Sequence, residues 1–96
     1  MAVKITCINK EGGNHYDPHE AIQYLGWINE KTGARGKSSR LEMVKFIEEN
    51  GIGSAYVDRG GKIAYLVVRV SPWGNKYVKT IADGKETNNL LELPEC

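Results

Sequence analysis

The sequence predicts a small α+β domain in which one helix packs on one face of an antiparallel sheet of about five or six strands. Three observations favour this class. Short apolar or alternating segments recur along the chain, one capped segment has helical periodicity, and short turns containing Gly or Pro join the segments. We expect a single domain, residues 1–96, with the order β-β-(β)-α-β-β-β and a C-terminal helical turn.

Two or three strands precede the helix. VKITCIN (Val3 to Asn9) alternates apolar and polar residues, and AIQYLGWIN (Ala21 to Asn29) is rich in aromatic and β-branched residues. Between them, residues 11–19 are predicted to form a loop, because glycines, an Asp-Pro step and both histidines interrupt the pattern. Residues 34–37 then form a short third strand after a turn at 31–33.

The helix is predicted over residues 40–50. Ser39 is a suitable N-cap, and Glu42 three residues later completes a capping box. Asn50-Gly51 is a suitable C-terminus, because both residues tolerate the left-handed conformation. The apolar side chains share one broad arc of the helix and are expected to face the sheet. They are Leu41, Met43, Val44, Phe46 and Ile47.

Three strands follow as a meander over residues 54–58, 63–70 and 76–81, joined by short turns. The tail DGKETNNLLELPEC begins with a turn at Asp83-Gly84. Asn89 and Glu92 have capping-box spacing and predict one helical turn. Its three leucines are expected to be buried against the open end of the sheet, because such a cluster is rarely left in water.

Bulk composition excludes several classes of protein. With 13 basic and 12 acidic residues, the net charge of +1 argues against a dedicated DNA-binding domain, although a local basic patch is compatible with it. No apolar run is long enough to span a bilayer, and the N-terminus does not resemble a signal peptide. We expect a cytoplasmic protein in which Cys7 and Cys96 are free thiols, with a disulfide between them as the alternative.

A basic loop is the first candidate site. Lys31, Arg35, Lys37 and Arg40 are four cations with no acidic residue between them, and they could hold an anion such as a nucleic-acid phosphate. The plainer and preferred interpretation is a solvated basic loop in which Arg40 covers apolar surface. GARGKSS at 33–39 contains Gly-Lys-Ser, but it lacks the first glycine of a phosphate-binding loop, so we do not predict nucleotide hydrolysis.

Metal binding and catalysis receive little support. Cys7, His15, His19 and Cys96 could be drawn as a zinc set, but their spacing matches no zinc motif. Cys7 lies in a predicted strand and is expected to pack as a small apolar residue, and Cys96 lies beside a carboxylate, which does not favour a thiolate. We therefore predict no catalytic residue, no metal and no cofactor.

The aromatic residues allow two interpretations. Trp73 lies in a turn, where a large apolar ring is unexpected unless it folds back or binds something. Tyr56, Tyr65 and Tyr77 lie on neighbouring strands, where they could stack with nucleic-acid bases. Packing in the core is the interpretation that we prefer for these tyrosines.

Several motifs together resemble a family of small bacterial and archaeal proteins, the domain-of-unknown-function family number thirty-eight ninety-two. The tail motif is the most specific, with Asn88 at a position where similar proteins often have Asp. The resemblance covers nearly the whole chain and implies a prokaryotic, cytosolic protein without supplying a catalytic residue. The matching pieces are Gly12-Gly13, His19-Glu20-x-Ile22, Trp27-x-Asn29, Thr32-Gly33-x-x-Gly36-x-Ser38-Ser39-Arg40, Met43-Val44, Ala55-Tyr56-Val57-Asp58, Tyr77-Val78-x-Thr80, Ala82-Asp83-Gly84 and Asn88-Asn89-Leu90-Leu91-x-Leu93-Pro94-Glu95.

The sequence thus favours a small non-enzymatic binding or interaction module, with the basic loop at 31–40 as its candidate site and a protein or nucleic acid as its partner. The alternative is a small-molecule binder or enzyme with a polar pocket near His19, Arg40 and Asp83, together with Glu20 and Asn88. We expect no membrane association, and a monomer or weak homodimer.

Overall fold

The computed structural model describes residues 2–10 and 21–96 of the chain. Within these two ranges the chain forms seven strands and one helix. The strands are β1 (Val3–Lys10), β2 (Ile22–Ile28), β3 (Arg35–Ser39), β4 (Ala55–Arg59), β5 (Lys62–Val70), β6 (Lys76–Ala82) and β7 (Lys85–Thr87), and the helix α1 is Arg40–Asn50. The α+β class and the predicted helix boundaries are confirmed.

The strands form one sheet in the order β3-β2-β1-β4-β5-β6-β7. The predicted strand count was wrong, because residues 85–87 pair with β6 as a short seventh strand that has no apolar run to mark it. The expectation of a purely antiparallel sheet was also wrong. Strands β1 and β4 pair in parallel, with Val3 opposite Ala55 and Lys4 opposite Tyr56. This contact joins distant segments, so local sequence patterns do not reveal it.

Helix α1 carries the chain from β3 to β4. These two strands run in the same direction, because β3, β2 and β1 alternate in direction and β4 is parallel to β1. The helix therefore returns the chain across one face of the sheet. No helix in the described ranges is long and apolar enough to cross a membrane.

The core lies between α1 and the face of the sheet that we call the inner face, and the opposite side is the outer face. Leu41 does not join this core and is 60% exposed, so the apolar arc of the helix is narrower than predicted. The buried cluster comprises Val3, Ile5, Ile8, Ile22, Leu25, Met43, Val44, Ile47, Ala55, Val57, Leu66, Val78 and Leu90.

Both ends of α1 are capped as predicted. The Glu42 N–H donates to Ser39 Oγ at 3.2 Å, and the Ser39 N–H donates to Glu42 Oε1 at 2.9 Å. Gly51 has a φ of 87°, and its N–H donates to the Ile47 carbonyl at 2.7 Å. The backbone and side-chain hydrogen bonds with Ser39 hold the pKa of the Glu42 carboxyl below its usual range.

Replacing the cap is expected to weaken the fold measurably. Ser39→Ala should lower the free energy of unfolding by about 1 kcal/mol, because the first turn loses its side-chain acceptor.

The Glu42 carboxylate should make stability depend on pH. Because the Glu42 pKa is lower in the folded state, its contribution to stability is present above the unfolded pKa and is lost as the pH falls through the folded value. Urea unfolding of the wild type and of Glu42→Gln at neutral and acidic pH measures this. An acid-induced difference of equal size in both proteins would contradict the assignment.

The C-terminal tail lies along the open edge of β1. Strand β4 pairs only with the first residues of β1, and Ile8 further along β1 pairs with the tail instead. The Ile8 N–H donates to the Pro94 carbonyl at 3.0 Å, and the Cys96 N–H donates to the Ile8 carbonyl at 3.1 Å. The tail therefore satisfies the strand edge that the short parallel pair leaves open.

The tail leucines are buried as predicted. Leu90 is fully buried, and Leu91 and Leu93 are partly buried against the core. Successive hydrogen bonds from the N–H groups of residues 91–93 to carbonyls three residues earlier form the predicted helical turn. The Glu92 carboxylate forms an ion pair with Arg59 at the end of β4, which ties the tail to the strand beside it.

The two cysteines form a disulfide, so the prediction of free thiols was wrong and the alternative is what the structure contains. Cys7 of β1 and Cys96 have their Cα atoms 4.9 Å apart although 89 positions separate them in sequence. The bond lies over Gly26, the cross-strand partner of Cys7 on β2. A Cβ atom at position 26 would stand only 2.3 Å from Cys7 Sγ, so glycine makes room for the disulfide.

Candidate functional site

Residues 31–40, predicted as a basic loop, belong to three different elements of the fold. Lys31 lies in the turn after β2, Arg35 and Lys37 lie on β3, and Arg40 is the first residue of α1. Strand β3 is one edge of the sheet, since within the described ranges it pairs with β2 alone. The predicted loop is therefore largely an edge strand, where positive side chains also discourage pairing with another chain.

The alternation of β3 separates its basic residues from its packed ones. Gly36 lies beneath the Trp27 ring, and a Cβ atom there would stand 2.4 Å from Trp27 Cζ2. Trp27 Nε1 also donates to Ser38 Oγ at 3.1 Å, so the indole occupies the inner face of β3. Arg35 and Lys37 alternate with these residues and consequently project from the outer face.

Three of these cations have no ion-pair partner in the part of the chain that the structure describes. Lys31, Arg35 and Lys37 are exposed, and we call them the basic edge. Lys37 instead places its Nζ 5.1 Å from the centroid of the Tyr24 ring. Several cations elsewhere have carboxylate partners, namely Lys45, Arg59, Arg69, Lys76 and Lys79.

Arg40 differs from the basic edge. It is half-buried and already has an interaction partner, so we do not count it as an unpaired cation. With Gln23, Tyr24, Ser39 and Leu41 it lines a cavity of about 260 Å³ where β2 meets the start of α1. The preferred interpretation gave solvated charge to the loop and apolar cover to Arg40, and in the structure Arg40 is half-buried while the basic edge is exposed.

Two of the three tyrosines assigned to the core lie outside it. Tyr56 and Tyr65 are direct cross-strand partners on β4 and β5. Their chain neighbours Ala55, Val57 and Leu66 are fully buried on the inner face, so both tyrosines project from the outer face. Tyr65 is 41% exposed. The alternation in residues 55–58 was a sequence signal that could have placed Tyr56 on the outer face, whereas Tyr65 lies in a nearly continuous apolar segment without such a signal.

The remaining aromatic residues have different environments. Tyr77 on β6 is only 6% exposed, which agrees with the burial predicted for it. Trp73 is 72% exposed in the turn between β5 and β6, and it has an interaction partner. Trp73 therefore lies apart from Tyr56 and Tyr65, which are on strands β4 and β5.

The Tyr56 hydroxyl donates a hydrogen bond to Glu30 Oε1 in the turn after β2. This bond, with smaller contributions from burial and from the charges of Glu30 and Asp58, raises the pKa of Tyr56 to about 12. The phenol therefore stays protonated at ordinary pH and fixes the Glu30 carboxylate. The pair adjoins a cavity of about 750 Å³ that is lined by Ala2, Asn29, Glu30, Lys31, Thr32, Asn50, Ile52, Gly53, Ser54 and Tyr56.

Among the described residues of the alternative pocket, Arg40 and Asp83 adjoin strands at opposite edges of the sheet. Asp83 has a φ of 54° in the turn between β6 and β7, and the Asn88 carbonyl accepts the N–H of Leu91 just after β7. Strand β7 is the edge of the sheet opposite to β3, which leads into Arg40. His19 and Glu20 lie outside the described residues, as does His15. The described part of the chain therefore gives no support to a pocket shared by Arg40 and Asp83.

Metal ligands are likewise not assembled in the part of the chain that is described. No group of three His, Cys, Asp or Glu residues lies together there as a cation site. The zinc set drawn from the sequence also loses Cys7 and Cys96, whose sulfur atoms are bonded to each other.

Comparison with known proteins gives a family. A family model described as "Protein of unknown function (DUF3892)" matches residues 4–94. The chain belongs to this family. No curated protein and no solved structure matches it. The resemblance inferred from the motifs is confirmed, and the DUF3892 match includes the basic edge, Tyr56, Tyr65 and Leu90, whereas Cys96 lies beyond it.

Proposed function

We propose that this DUF3892 protein is a non-enzymatic binding module that contacts the phosphate groups of nucleic acid through its basic edge. The observation that carries the proposal is the set of three neighbouring exposed cations that have no carboxylate partner among the residues the structure describes. Exposed cations of this kind attract a polyanion and release its bound counterions, which provides binding free energy without a specific pocket.

The arrangement suits an extended ligand more than a compact one. Arg35 and Lys37 are two residues apart on the same face of β3, about 7 Å along the strand. Lys31 continues the set beyond the start of the strand. Because the net charge of the chain is only +1, attraction is local to this edge, and affinity is expected to depend strongly on salt.

Removing one cation of the basic edge should reduce the salt dependence of binding. For a fluorescently labelled oligothymidine, three phosphate contacts give a slope of about −2 in log Kobs against log salt, and Lys37→Ala should make it shallower by about 0.7. Fluorescence anisotropy over about 50 to 200 mM salt measures both values.

A matched control is available at the other edge. Lys85 is also exposed, at the first residue of β7, so Lys85→Ala removes the same charge far along the sheet and should leave the slope unchanged. Equal effects of the two substitutions would show that only net charge matters. Absence of binding by the wild type at the lowest salt would contradict the proposal itself.

The predicted cytoplasmic location and the monomer or weak homodimer belong to this proposal. Because the cytoplasm contains nucleic acid, the cytoplasmic location is part of the same proposal. The disulfide places a condition on it, because the cytoplasm of most organisms keeps cysteine thiols reduced. In such a compartment the tail would be held by its leucines, its backbone hydrogen bonds and the ion pair of Glu92 with Arg59.

A further inference from the structure

We propose that the outer face of the sheet binds single-stranded nucleic acid, with bases stacked on Tyr65 and the neighbouring Tyr56 and phosphates directed toward Lys4 and the basic edge. This inference rests on the proposed function. It adds that the ligand is single-stranded and that its bases contact the outer face of the sheet. It follows from how the strands align the outer-face side chains across the sheet.

One residue from every strand lies in a single cross-strand row on the outer face. Each member is the direct Cα partner of the next, so neighbours are separated by one strand spacing of about 4.8 Å. The row joins the basic residue at one edge to the tyrosine pair near the middle. It runs Arg35, Ile28, Lys4, Tyr56, Tyr65, Ile81, Glu86.

The middle of this row is an exposed apolar and aromatic platform. Tyr65 is 41% exposed, and Ile63 beside it on β5 is 45% exposed. Ile28 and Tyr56 are half-buried. Because α1 covers the inner face, it does not shield these side chains. Aromatic rings on the open face of a sheet provide planar surfaces on which unpaired bases stack.

Charge complementarity selects a polyanion for this platform. Lys4 lies between Ile28 and Tyr56 in the row, and it has no ion-pair partner among the described residues. Arg35 ends the row at the sheet edge. A backbone that follows the row from β3 therefore meets Arg35 and then Lys4 before its bases reach the tyrosines.

The acidic groups on the same face are already engaged. Glu30 accepts the Tyr56 hydroxyl, and Asp58 Oδ1 accepts the Gly61 N–H at 3.0 Å. Glu86 forms ion pairs with Arg69 at 2.9 Å and Lys79 at 3.3 Å. Because Glu86 lies at the β7 end of the row, its charge limits the phosphate path to the side of the row that carries Lys4 and Arg35.

The dimensions favour a short single strand over a duplex. From Arg35 to Tyr65 the row crosses four strand spacings, about 19 Å. Open sheet faces of comparable width stack about two or three bases. A duplex hides the planes of its bases within its own stack, so it could contact the cations but could not use the tyrosines.

The test compares Tyr65→Leu with the wild type, because leucine keeps apolar cover on β5 and removes the aromatic plane. Affinity for a labelled oligothymidine should fall about 5- to 150-fold, while Tyr65→Phe should remain close to the wild type. Val70→Ala is the control, since Val70 is 57% exposed on the same strand but alternates to the other side from Tyr65. Circular dichroism and melting temperature establish that each variant is folded.

Two further probes separate the two proposals. A duplex of the same sequence and inorganic polyphosphate present phosphates without accessible bases, so Tyr65→Leu should leave their binding unchanged. If wild type and Tyr65→Leu bind oligothymidine equally, the stacking inference is overturned while the basic edge stands. If Lys37→Ala has no effect on any probe but Tyr65→Leu weakens oligothymidine, the basic-edge proposal fails instead. If no probe binds, both fail and the face becomes a candidate surface for a protein partner.

Discussion

Replacing Cys7 and Cys96 with alanine should lower the free energy of unfolding by about 2 to 5 kcal/mol. The disulfide closes nearly the whole chain into one loop, with 89 positions between its ends. Removing so long a cross-link gives the unfolded chain much more conformational freedom. Urea unfolding of the double variant and of the oxidised wild type, extrapolated to zero denaturant, measures the difference.

Gly26 supplies a control that is specific for the position of the disulfide. In the oxidised wild type, Gly26→Ala introduces a Cβ atom 2.3 Å from Cys7 Sγ and 3.1 Å from Cys96 Sγ, so it should be destabilising. In the Cys7→Ala, Cys96→Ala background both sulfur atoms are gone, and the same substitution should cost less. Equal costs in the two backgrounds would show that the disulfide does not lie over β2. Unchanged stability of the double variant would contradict a stabilising role of the disulfide.

Leu90→Ala is the second substitution with a large expected effect, lowering the free energy of unfolding by about 2 to 5 kcal/mol. Leu90 is 0% exposed and belongs to the same buried cluster as α1 and the inner face of the sheet. The loss combines the transfer of its side chain to water with a cavity that the neighbouring strands fill only in part. Thermal and urea unfolding with the disulfide intact measure it.

A neighbouring leucine provides the comparison. Leu91 is only partly buried, so Leu91→Ala removes the same atoms from a less enclosed position and should cost clearly less. Deleting residues 89–96 removes both Leu90 and the disulfide. The truncated chain should be largely unfolded, because a domain of this size has only about 5 to 15 kcal/mol of stability. A truncated protein that keeps its melting temperature would show that the tail is a peripheral segment.

Local signals predicted most of the elements. The capping box of Ser39 and Glu42 and the C-terminal Gly51 placed α1, since both caps act within one turn of the helix. Strand β7 was missed because Lys85–Thr87 has no apolar residue and is held by its pairing with β6. The predicted capping box of the tail also differs from the structure in one respect, because Glu92 pairs with Arg59 of β4. That ion pair depends on a contact between distant segments.

The candidate site was predicted in part. The cations of residues 31–40 were recognised from their spacing, but Lys4 was not included, since 27 positions separate it from Lys31 in the sequence. Register alone makes Lys4 a member of the same outer-face row as Arg35. Tyr65 was assigned to the core because aromatic residues are commonly buried. Strand register, which residue type does not reveal, decides which face of the sheet the ring occupies.

The sequence by itself determined the α+β class, the helix and its caps, most strands, and the burial of the tail leucines, because periodicity and capping are local properties. The tertiary structure alone decided the parallel pairing of β1 with β4, which leaves the edge of β1 free for the tail at Ile8. That pairing brings Cys96 to Cys7 and aligns Lys4 with Tyr56 on the outer face. Such contacts join residues far apart in the chain, and no local pattern encodes which distant strands become neighbours.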